Sequence, residues 1–254
     1  MLPIARKAKI KELIIEKKNV TVAELTAMFN VTEETIRRDL KQLEDEGILI
    51  RIYGGAYISD GVQNDVNVNL REHIHVEGKK RIASKCVEFI KNGDSIFLDA
   101  STTSLYIANM IGNKRITVVT NSMKIVNTLV DSPSVHLVII GGVVSNSSMS
   151  ALGRNAEQNM NSYYFDLAFI SCRTISMQHG ITDSNEQQAE VRRLAVERAN
   201  TVYLVADHTK FDRTSFASIC GFEHIHSIIV DKPLSQEWHE FLEAHNVALT
   251  ECDE

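Results

Sequence analysis

The chain has 254 residues, of which 44% are hydrophobic and 24% charged, and its formal net charge is −6. These ordinary proportions exclude a disordered or fibrous protein, and the length favours two domains. The charge is unevenly divided, because residues 1–57 carry 10 basic and 9 acidic side chains and the remainder carries 17 basic and 24 acidic ones. A near-neutral N-terminal segment followed by an acidic remainder is compatible with an N-terminal domain that binds a polyanion.

The cysteines and the apolar segments exclude further classes. The four cysteines are far apart and form no C-x-x-C pair, so we expect no zinc site and no disulfide framework. No apolar signal core follows Met1, and the most apolar run, Val135 to Val144, is too short to span a membrane. We interpret that run as a buried strand. We expect a cytoplasmic protein without a metal or another cofactor.

Three short helices and a hairpin are predicted within residues 1–57. Thr21 and Glu24 form a capping-box pattern at the start of the second helix. Thr32 is a good N-cap for the third helix, and Gly47 is expected to end it. A run rich in β-branched residues around the glycines at 54–55, Ile48 to Tyr57, then predicts a hairpin, which we call the wing.

The third helix has two contrasting faces. Apolar residues recur at helical spacing and should face the core, namely Ile36, Leu40 and Leu43. The opposite face is polar and basic and holds Thr35, Arg37, Arg38 and Lys41. Two helices joined by a few residues, the second with a basic face, form the helix-turn-helix pattern of DNA-binding proteins. From the residues alone, the alternative is a solvated face of a helical hairpin that never contacts DNA.

The string Thr35-Ile36-Arg37-Arg38-Asp39-Leu40, followed in the wing by Gly54-Gly55-Ala56, resembles the winged helix-turn-helix of the DeoR family of bacterial transcription regulators. The resemblance implies a double-stranded DNA operator as partner. Hydroxyls at the helix starts, Thr21 and Thr32, are then expected to bind phosphates, and Asp39 to orient an arginine. Base edges are expected to be read by Glu34, Thr35 and Arg38. The groups expected to hold the backbone, or to reach the minor groove from the wing, are Arg37, Lys41, Arg51 and Tyr53.

Residues 58–77 are polar and irregular and predict a linker, with Arg71 docked near its end. From residue 78 to 254, apolar runs alternate with helical stretches, which predicts a mostly parallel α/β domain. The predicted strands are 95–98, 116–119, 135–140, 167–170, 202–205 and 228–230, and helices are predicted at 105–111, 124–130 and 187–199.

Each predicted strand ends in polar residues or glycines, and open α/β sheets bind ligands at the carboxyl ends of their strands. The run 101–103, Ser-Thr-Thr, also opens a helix and could cradle an anion, with Arg173 and Lys210 adding positive charge. Together these ends predict a small anionic ligand with hydroxyls. Taken singly, each has a plainer interpretation, such as an ordinary cap, a glycine turn, a packed turn histidine at His208 or a surface lysine.

The resemblance extends through residues 79–231, on strings such as Val119-Thr120-Asn121-Ser122 and Asp207-His208-Thr209-Lys210-Phe211. They resemble the sensor domain of DeoR-type regulators, which is similar in fold to ribose-5-phosphate isomerases. The resemblance implies a phosphorylated sugar or polyol effector, with its phosphate near residues 101–103. The expected effector contacts are Asp99, Ser101, Thr102, Thr103, Thr120, Asn121, Gly141, Gly142, Arg173, Asp183, Glu190, Asp207 and Lys210. Ser101 and the glycine-poor segment 171–174 depart from the family pattern.

The function implied is a repressor of a carbohydrate-utilisation operon, without enzymatic activity, that the effector releases from DNA. Operators of such proteins pair two half-sites, so a homodimer or homotetramer is expected. The alternative is a working sugar-phosphate isomerase, for which Asp99, Glu190 and Lys210 would supply the catalytic groups. The fused DNA-binding domain, residues 1–57, and the glycine-poor segment 171–174 argue against that alternative.

Overall fold

The computed structural model describes residues 2–17, 19–45, 48–57, 68–72 and 74–252. The chain divides into two compact units, Met1–His75 and Val76–Glu254. The first contains helices α1 (Pro3–Lys17), α2 (Val22–Phe29), α3 (Glu33–Asp45) and α4 (Val68–Glu72), and strands β1 (Asn19–Thr21), β2 (Ile50–Ile52) and β3 (Gly55–Tyr57).

The first unit is built around the apolar faces of its helices. Ile36, Leu40 and Leu43 of α3 are buried, which confirms the predicted core face of that helix. The wing hairpin is also confirmed, since β2 pairs with β3 antiparallel. The short strand β1 was not predicted. It pairs with the other side of β3 and makes a three-stranded sheet in the order β1-β3-β2. Gly47, the predicted helix stop, lies outside the described residues.

The interval predicted as an irregular linker contains regular structure. Helix α4 occupies Val68–Glu72, and the next helix begins at Val76. Val68 and Ile74 are buried, and Ile74 packs into the core of the first unit. The described part of the interval is therefore held by buried apolar side chains, a signal that the polar residues around them obscured. Positions 58–67 and 73 lie outside the described residues.

The second unit alternates strands and helices. Its helices are α5 (Val76–Phe89), α6 (Thr102–Ile111), α7 (Met123–Leu129), α8 (Arg154–Met160), α9 (Glu186–Glu197) and α10 (Gln236–Ala244). Its strands are β4 (Ser95–Leu98), β5 (Ile116–Thr120), β6 (Val135–Ile139), β7 (Val143–Ser145), β8 (Ser150–Leu152), β9 (Phe165–Ile170), β10 (Thr174–Ser176), β11 (Gly180–Asp183), β12 (Ala199–Ala206), β13 (Ala217–Cys220), β14 (Ser227–Val230) and β15 (Ala248–Glu251). Two 3-10 helices span His208–Lys210 and Phe222–His224.

Seven strands form one sheet in the order β15-β14-β12-β9-β4-β5-β6, and every neighbouring pair is parallel. All six predicted strands lie in it, which confirms the mostly parallel α/β fold. Successive residues of a strand face opposite sides. Phe97 therefore packs into one apolar cluster with residues of α8, α9 and α10, whereas Ile96 and Leu98 pack into another with residues of α5, α6 and α7. Helices cover both faces of the sheet.

The prediction that Val135–Val144 forms a buried strand is wrong in its burial. The first half forms β6, but β6 is the edge strand of the sheet, and none of its five residues is buried. The run then continues into β7, where Val143 is 74% exposed. An apolar run indicates a strand in a covered sheet, but it does not tell a central strand from an edge strand.

None of the helices in the described part of the chain combines the length and the apolar character that a membrane span requires.

Candidate DNA-binding face and effector site

The two predicted phosphate-binding hydroxyls lie at the N-termini of α2 and α3. Thr21 is the N-cap of α2, and its hydroxyl accepts a hydrogen bond from the Glu24 backbone N–H at 3.1 Å. The Thr32 hydroxyl accepts the Thr35 N–H at 3.3 Å and lies 3.0 Å from the Thr35 hydroxyl. Both threonines are exposed. They satisfy helix N–H groups and are still open to the solvent, as a phosphate contact requires.

The outer face of α3 is polar and accessible. Glu34, Arg37, Arg38 and Lys41 are exposed and Thr35 is half-buried. Arg37 pairs with Glu33 one turn earlier, with 2.7 Å between Nη2 and Oε2. Arg38 has no ion-pair partner among the residues that the structure describes. Its guanidinium is therefore available for a ligand without breaking a contact in the protein.

The wing is tied to α3 through Glu44, a residue that sequence reasoning did not select. Its carboxylate accepts the Arg51 backbone N–H at 3.0 Å and the Arg51 Nε at 2.7 Å. The backbone bond and then the side-chain bond from Arg51 lower the pKa of this carboxyl. At the wing tip Tyr53 is fully exposed, beside Gly54, whose φ of +84° is a left-handed conformation that favours glycine.

Asp39 does not face the solvent. It is buried on α3 and pairs with Arg6 of α1, where Nε lies 2.5 Å from Oδ2. The arginine that Asp39 orients is therefore in another helix, and Arg6 was not selected from the sequence. The signal was present, because Arg6 lies one turn before Ile10 on the apolar face of α1. A buried ion pair at this point sets how α1 packs on α3.

The carboxyl ends of the neighbouring parallel strands β12, β9, β4, β5 and β6 lie at one edge of the large sheet. The predicted effector residues that follow these strands are therefore brought to the same edge. They are Asp99, Ser101, Thr102, Thr103, Thr120, Asn121, Gly141, Gly142, Arg173, Asp207 and Lys210. The two others, Asp183 and Glu190, lie at the end of β11 and on α9.

Asp99 is the centre of a buried network at this edge. Its Oδ1 accepts the Ser101 N–H at 3.1 Å and the Ser104 hydroxyl at 2.6 Å. Its Oδ2 accepts the Ser171 N–H at 2.9 Å and Arg192 Nε at 2.7 Å. Burial alone would raise the pKa of the Asp99 carboxyl, but Arg192 and the serine hydrogen bonds hold that pKa below its ordinary value. The carboxylate is charged and its acceptor positions are in use.

Arg192 of α9 belongs to this network and was not predicted from the sequence. Its guanidinium is 5% exposed and contacts both Asp99 and Asp183, through Nε and Nη1 respectively. Burial would lower its pKa, but Asp183 and Asp99 raise it, so the guanidinium stays charged. One cation thus lies between two buried carboxylates. The sequence signal was an arginine on the apolar face of α9, four residues after Gln188 and three before Ala195.

The start of α6 follows the pattern of a capped helix. Ser101 is its N-cap and accepts the Ser104 N–H at 3.0 Å. Thr102 and Thr103 are buried in the first turn. The Thr120 hydroxyl, at the end of β5, donates to the Leu98 carbonyl at 2.7 Å and accepts the Ser122 N–H at 3.1 Å. Ser101 and Thr120 therefore hold the backbone at this edge of the sheet. The hydroxyls of Thr102 and Thr103 can still form further hydrogen bonds.

Asn121 differs from its neighbours. It is completely buried, and its Nδ2 donates to the Ala151 carbonyl of β8 at 3.1 Å. Its Oδ1 is buried without a hydrogen-bond partner among the described residues. A buried acceptor left unpaired costs about 1–3 kcal/mol, so such an atom points to a missing donor.

The predicted glycine pair has a packing role. A Cβ on Gly142 would lie 2.5 Å from the Leu152 carbonyl oxygen, so only glycine allows the chain to approach β8 this closely. Gly141 donates its N–H to Asn159 Oδ1 at 3.4 Å. The carboxylate of Glu190, another predicted effector contact, pairs with Arg193 of the same helix, at 2.5 and 2.9 Å.

The ends of β9 and β12 converge on Cys172. Burial raises the pKa of its thiol, and the charges of Lys210 and Arg192 oppose that rise while Asp183 and Asp207 add to it. Asp207 caps the 3-10 helix by accepting the Thr209 N–H at 3.1 Å, and Arg173 is half-buried one residue after Cys172.

The two units together define a DNA-binding transcription regulator. Residues 6–61 match the DeoR-like helix-turn-helix domain, and residues 74–232 match the DeoR C terminal sensor domain. The chain belongs to the DeoR family.

Three relatives match along almost their whole length. The uncharacterized HTH-type transcriptional regulator YulB of Bacillus subtilis is 35% identical over 98% of this chain and 97% of its own. The HTH-type transcriptional repressor GlcR of Bacillus subtilis is 30% identical over 98% and 97%. The L-fucose operon activator of Haemophilus influenzae is 32% identical over 93% and 96%. A solved ribose-5-phosphate isomerase with phospho-erythronic acid is 14% identical over 54% of each chain, with a TM-score of 0.40, which supports no functional argument.

Proposed function

We propose that this regulator represses a carbohydrate-utilisation operon and leaves its operator when a phosphorylated sugar or polyol binds the second unit. The observation that carries the DNA-binding part is that Arg38 on α3 is exposed and has no ion-pair partner within the described parts of the chain. Repression is the sign named for GlcR, whereas the L-fucose relative is an activator. For this chain we propose repression, as in GlcR.

On DNA, α3 enters the major groove and Arg38 reads a guanine through two hydrogen bonds. Glu34 and Thr35 contact neighbouring base edges. The backbone is held by the groups at the helix starts and in the wing, which are Thr21, Thr32, Arg37, Lys41, Arg51 and Tyr53. Arg51 already has Glu44 as partner, so we assign it a weaker phosphate contact than Lys41.

In the second unit, the effector contacts are divided between direct and supporting groups. The direct contacts are the first turn of α6 with Thr102 and Thr103, together with Asn121, Arg173 and Lys210. The Asn121 Oδ1 requires a donor, which a sugar hydroxyl supplies. Arg173 and Lys210 would neutralise the phosphate. Asp99, Ser101, Thr120, Asp183 and Asp207 hold these groups in place, the glycine pair shapes the backbone, and Glu190 has no direct contact.

The geometry disfavours isomerase activity. A base that removes a proton from a sugar carbon needs a free acceptor position, and the Asp99 carboxylate already accepts four hydrogen bonds within the protein. Glu190 is paired with Arg193. We therefore propose binding without turnover. Incubation with ribose-5-phosphate should leave it unchanged, and isomerisation at an enzyme-like rate would contradict this.

The effector part is tested by thermal unfolding with ribose-5-phosphate, fructose-6-phosphate and glycerol-3-phosphate. Ribose, fructose and glycerol serve as matched controls without the phosphate. At least one phosphorylated compound should raise the melting temperature, since ligand at about 100 times its Kd stabilises by about 2.7 kcal/mol. Equal effects of each compound and its unphosphorylated partner would overturn the effector class.

The DNA part uses an operator selected by the full chain from random duplexes. The stabilising sugar phosphate should lower operator affinity, measured by fluorescence anisotropy. An increase in affinity would reverse the proposed action of the effector. A reporter gene placed behind the operator tests the sign of control, because higher expression in the presence of the protein would identify an activator.

A further inference from the structure

Asp231, the residue after β14, holds the turn that carries Lys210. It is 2% exposed, and its Oδ1 accepts the His208 backbone N–H at 2.7 Å. The His208 Nδ1 lies 3.1 and 3.2 Å from the two carboxylate oxygens, and Lys232 Nζ lies 3.3 Å from Nε2. This arrangement fits a ring that donates from Nδ1 and accepts at Nε2. Asp231 thereby fixes the first residue of the 3-10 helix His208–Lys210.

The same carboxylate packs against the first turn of α5. A Cβ on Gly78 would lie 2.4 Å from Asp231 Oδ2 and 2.9 Å from the Asp231 Cβ. One turn later, Arg81 donates from Nη2 to the Asp231 carbonyl at 3.1 Å and from Nε to the Cys252 carbonyl at 2.8 Å. Helix α5 therefore holds Asp231 by close packing and by its backbone. Packed groups of this kind transmit displacement because no free space absorbs it.

Helix α5 is also where the second unit begins. It starts at Val76, and the preceding residue, His75, belongs to the DNA-binding unit. Asp231 thus contacts both the turn bearing a proposed effector ligand and the helix that continues directly into the DNA-binding unit. A ligand that displaces the backbone of the turn 207–210 shifts His208 and Asp231 together or breaks their hydrogen bonds.

We propose that Asp231 is the positioning residue that transmits effector binding from the turn 207–210 through Gly78 to helix α5, and so lowers operator affinity. This rests on the proposed function. The effector can act only through a difference in its affinity for two arrangements of the protein. The Asp231–His208 contact is the element whose arrangement differs.

The test uses whichever of ribose-5-phosphate, fructose-6-phosphate and glycerol-3-phosphate most raises the wild-type melting temperature. The quantity measured is the coupling ratio, which is the operator Kd with this compound divided by the operator Kd without it. Allosteric couplings are typically about 5–150-fold, which sets the range expected for the wild type. In Asp231→Asn the ratio should fall to within about twofold of one. Effector-free operator affinity should stay within about threefold, and the titrations with the compound are made at a concentration that saturates each variant. A merely structural aspartate would change stability without changing this ratio.

Two further variants control the result. Asp166→Asn removes a carboxylate that also accepts a backbone N–H, from Ser95 at 2.8 Å, at the opposite end of β9, and should keep the wild-type ratio. Gly78→Ala moves the Asp231 carboxylate while favouring the helix, because alanine is the better helix former. In Gly78→Ala the ratio should also fall to within about twofold of one. This variant is expected to remain folded, so it tests the proposal even if Asp231→Asn does not fold.

The outcomes separate the two proposals. A wild-type protein that responds to none of the three compounds overturns the proposed effector class and the coupling with it. A wild-type response that persists undiminished in Asp231→Asn or in folded Gly78→Ala overturns the role of Asp231 alone and leaves the proposed function standing. The proposed transmission through Asp231 is supported if the ratio of operator Kd values falls to about one in Asp231→Asn and Gly78→Ala and stays at the wild-type value in Asp166→Asn.

Discussion

At the scale of single residues, buried ion pairs organise both units. Arg6 pairs with Asp39 in the first unit, and Arg192 lies between Asp99 and Asp183 in the second. Charges taken out of water are costly, and each is tolerated because its partner is held in hydrogen-bonding geometry. The pairs therefore specify how helices α3 and α9 pack, and the exposed residues on the opposite faces are positioned by them.

The Arg192→Leu variant tests this organisation. Removal of the cation leaves two buried carboxylates without compensation, which should cost about 3–5 kcal/mol of stability. The neighbouring Arg193→Leu is the matched control, because its pairs with Glu190 and Glu197 are partly exposed and should contribute about 1 kcal/mol or less. Urea unfolding followed by the fluorescence of Trp238, the single tryptophan, reports on the second unit. Equal losses in both variants would contradict the central role of Arg192.

The proposed base contact is tested on α3. Arg38→Ala should lose about 1–3 kcal/mol of discrimination between the operator and a scrambled duplex, because a bidentate arginine–guanine pair is lost. Arg37→Ala, on the same face, should weaken binding to both duplexes alike and reduce its salt dependence. Fluorescence anisotropy at two salt concentrations measures both effects. Retention of wild-type discrimination by Arg38→Ala would show that another residue reads the bases.

At the scale of elements, the wing depends on a strand that connects the first helix to the helix-turn-helix. Strand β1 pairs with β3, and Gly55 approaches it so closely that a Cβ would lie 2.3 Å from the Val20 carbonyl oxygen. A glycine here has a packing requirement. This contact explains the second of the two wing glycines, whereas the turn conformation explains the first.

Gly55→Ala is therefore expected to separate β1 from β3 and misplace the wing. Forced overpacking of this kind costs about 1–3 kcal/mol, and operator affinity should fall while effector binding is unchanged. Gly141→Ala is a control for stability alone, because its nearest neighbour would lie at an ordinary 3.8 Å. Hydrogen exchange at Val22, whose N–H donates to the Gly54 carbonyl at 2.8 Å, reports on the pairing. Unchanged exchange in Gly55→Ala would contradict the close approach.

At the scale of the whole molecule, a single α3 reads only a short half-site, so we propose that the protein works as a homodimer or homotetramer. A duplex with two half-sites should then bind about 10²–10⁴-fold more tightly than one half-site, because the second contact becomes intramolecular. Anisotropy titrations with both duplexes measure this, and mass photometry gives the stoichiometry. Equal affinities with one protein per duplex would contradict the paired arrangement.

Much of the architecture was predictable, since its determinants are local. Helical spacing placed Ile36, Leu40 and Leu43 in the core of the first unit, and apolar runs located six strands of the large sheet. Caps at Thr21 and Ser101 were evident from short motifs. The polar strand ends predicted which segments would meet at one sheet edge, because parallel strands align their carboxyl ends.

The tertiary structure decided what depends on distant residues. Arg192 reaches Asp99 across 93 positions of sequence, and this contact places the Asp99 carboxylate in a buried ion pair. The edge position of β6 depends on the order of strands, which an apolar run does not encode by itself. The sequence by itself determined six strands of the large sheet, the helix-turn-helix and the family, because periodicity and capping act over a few residues. Only folding decided which charged groups neutralise one another and which stay available, because desolvation and pairing depend on neighbours far away in the chain.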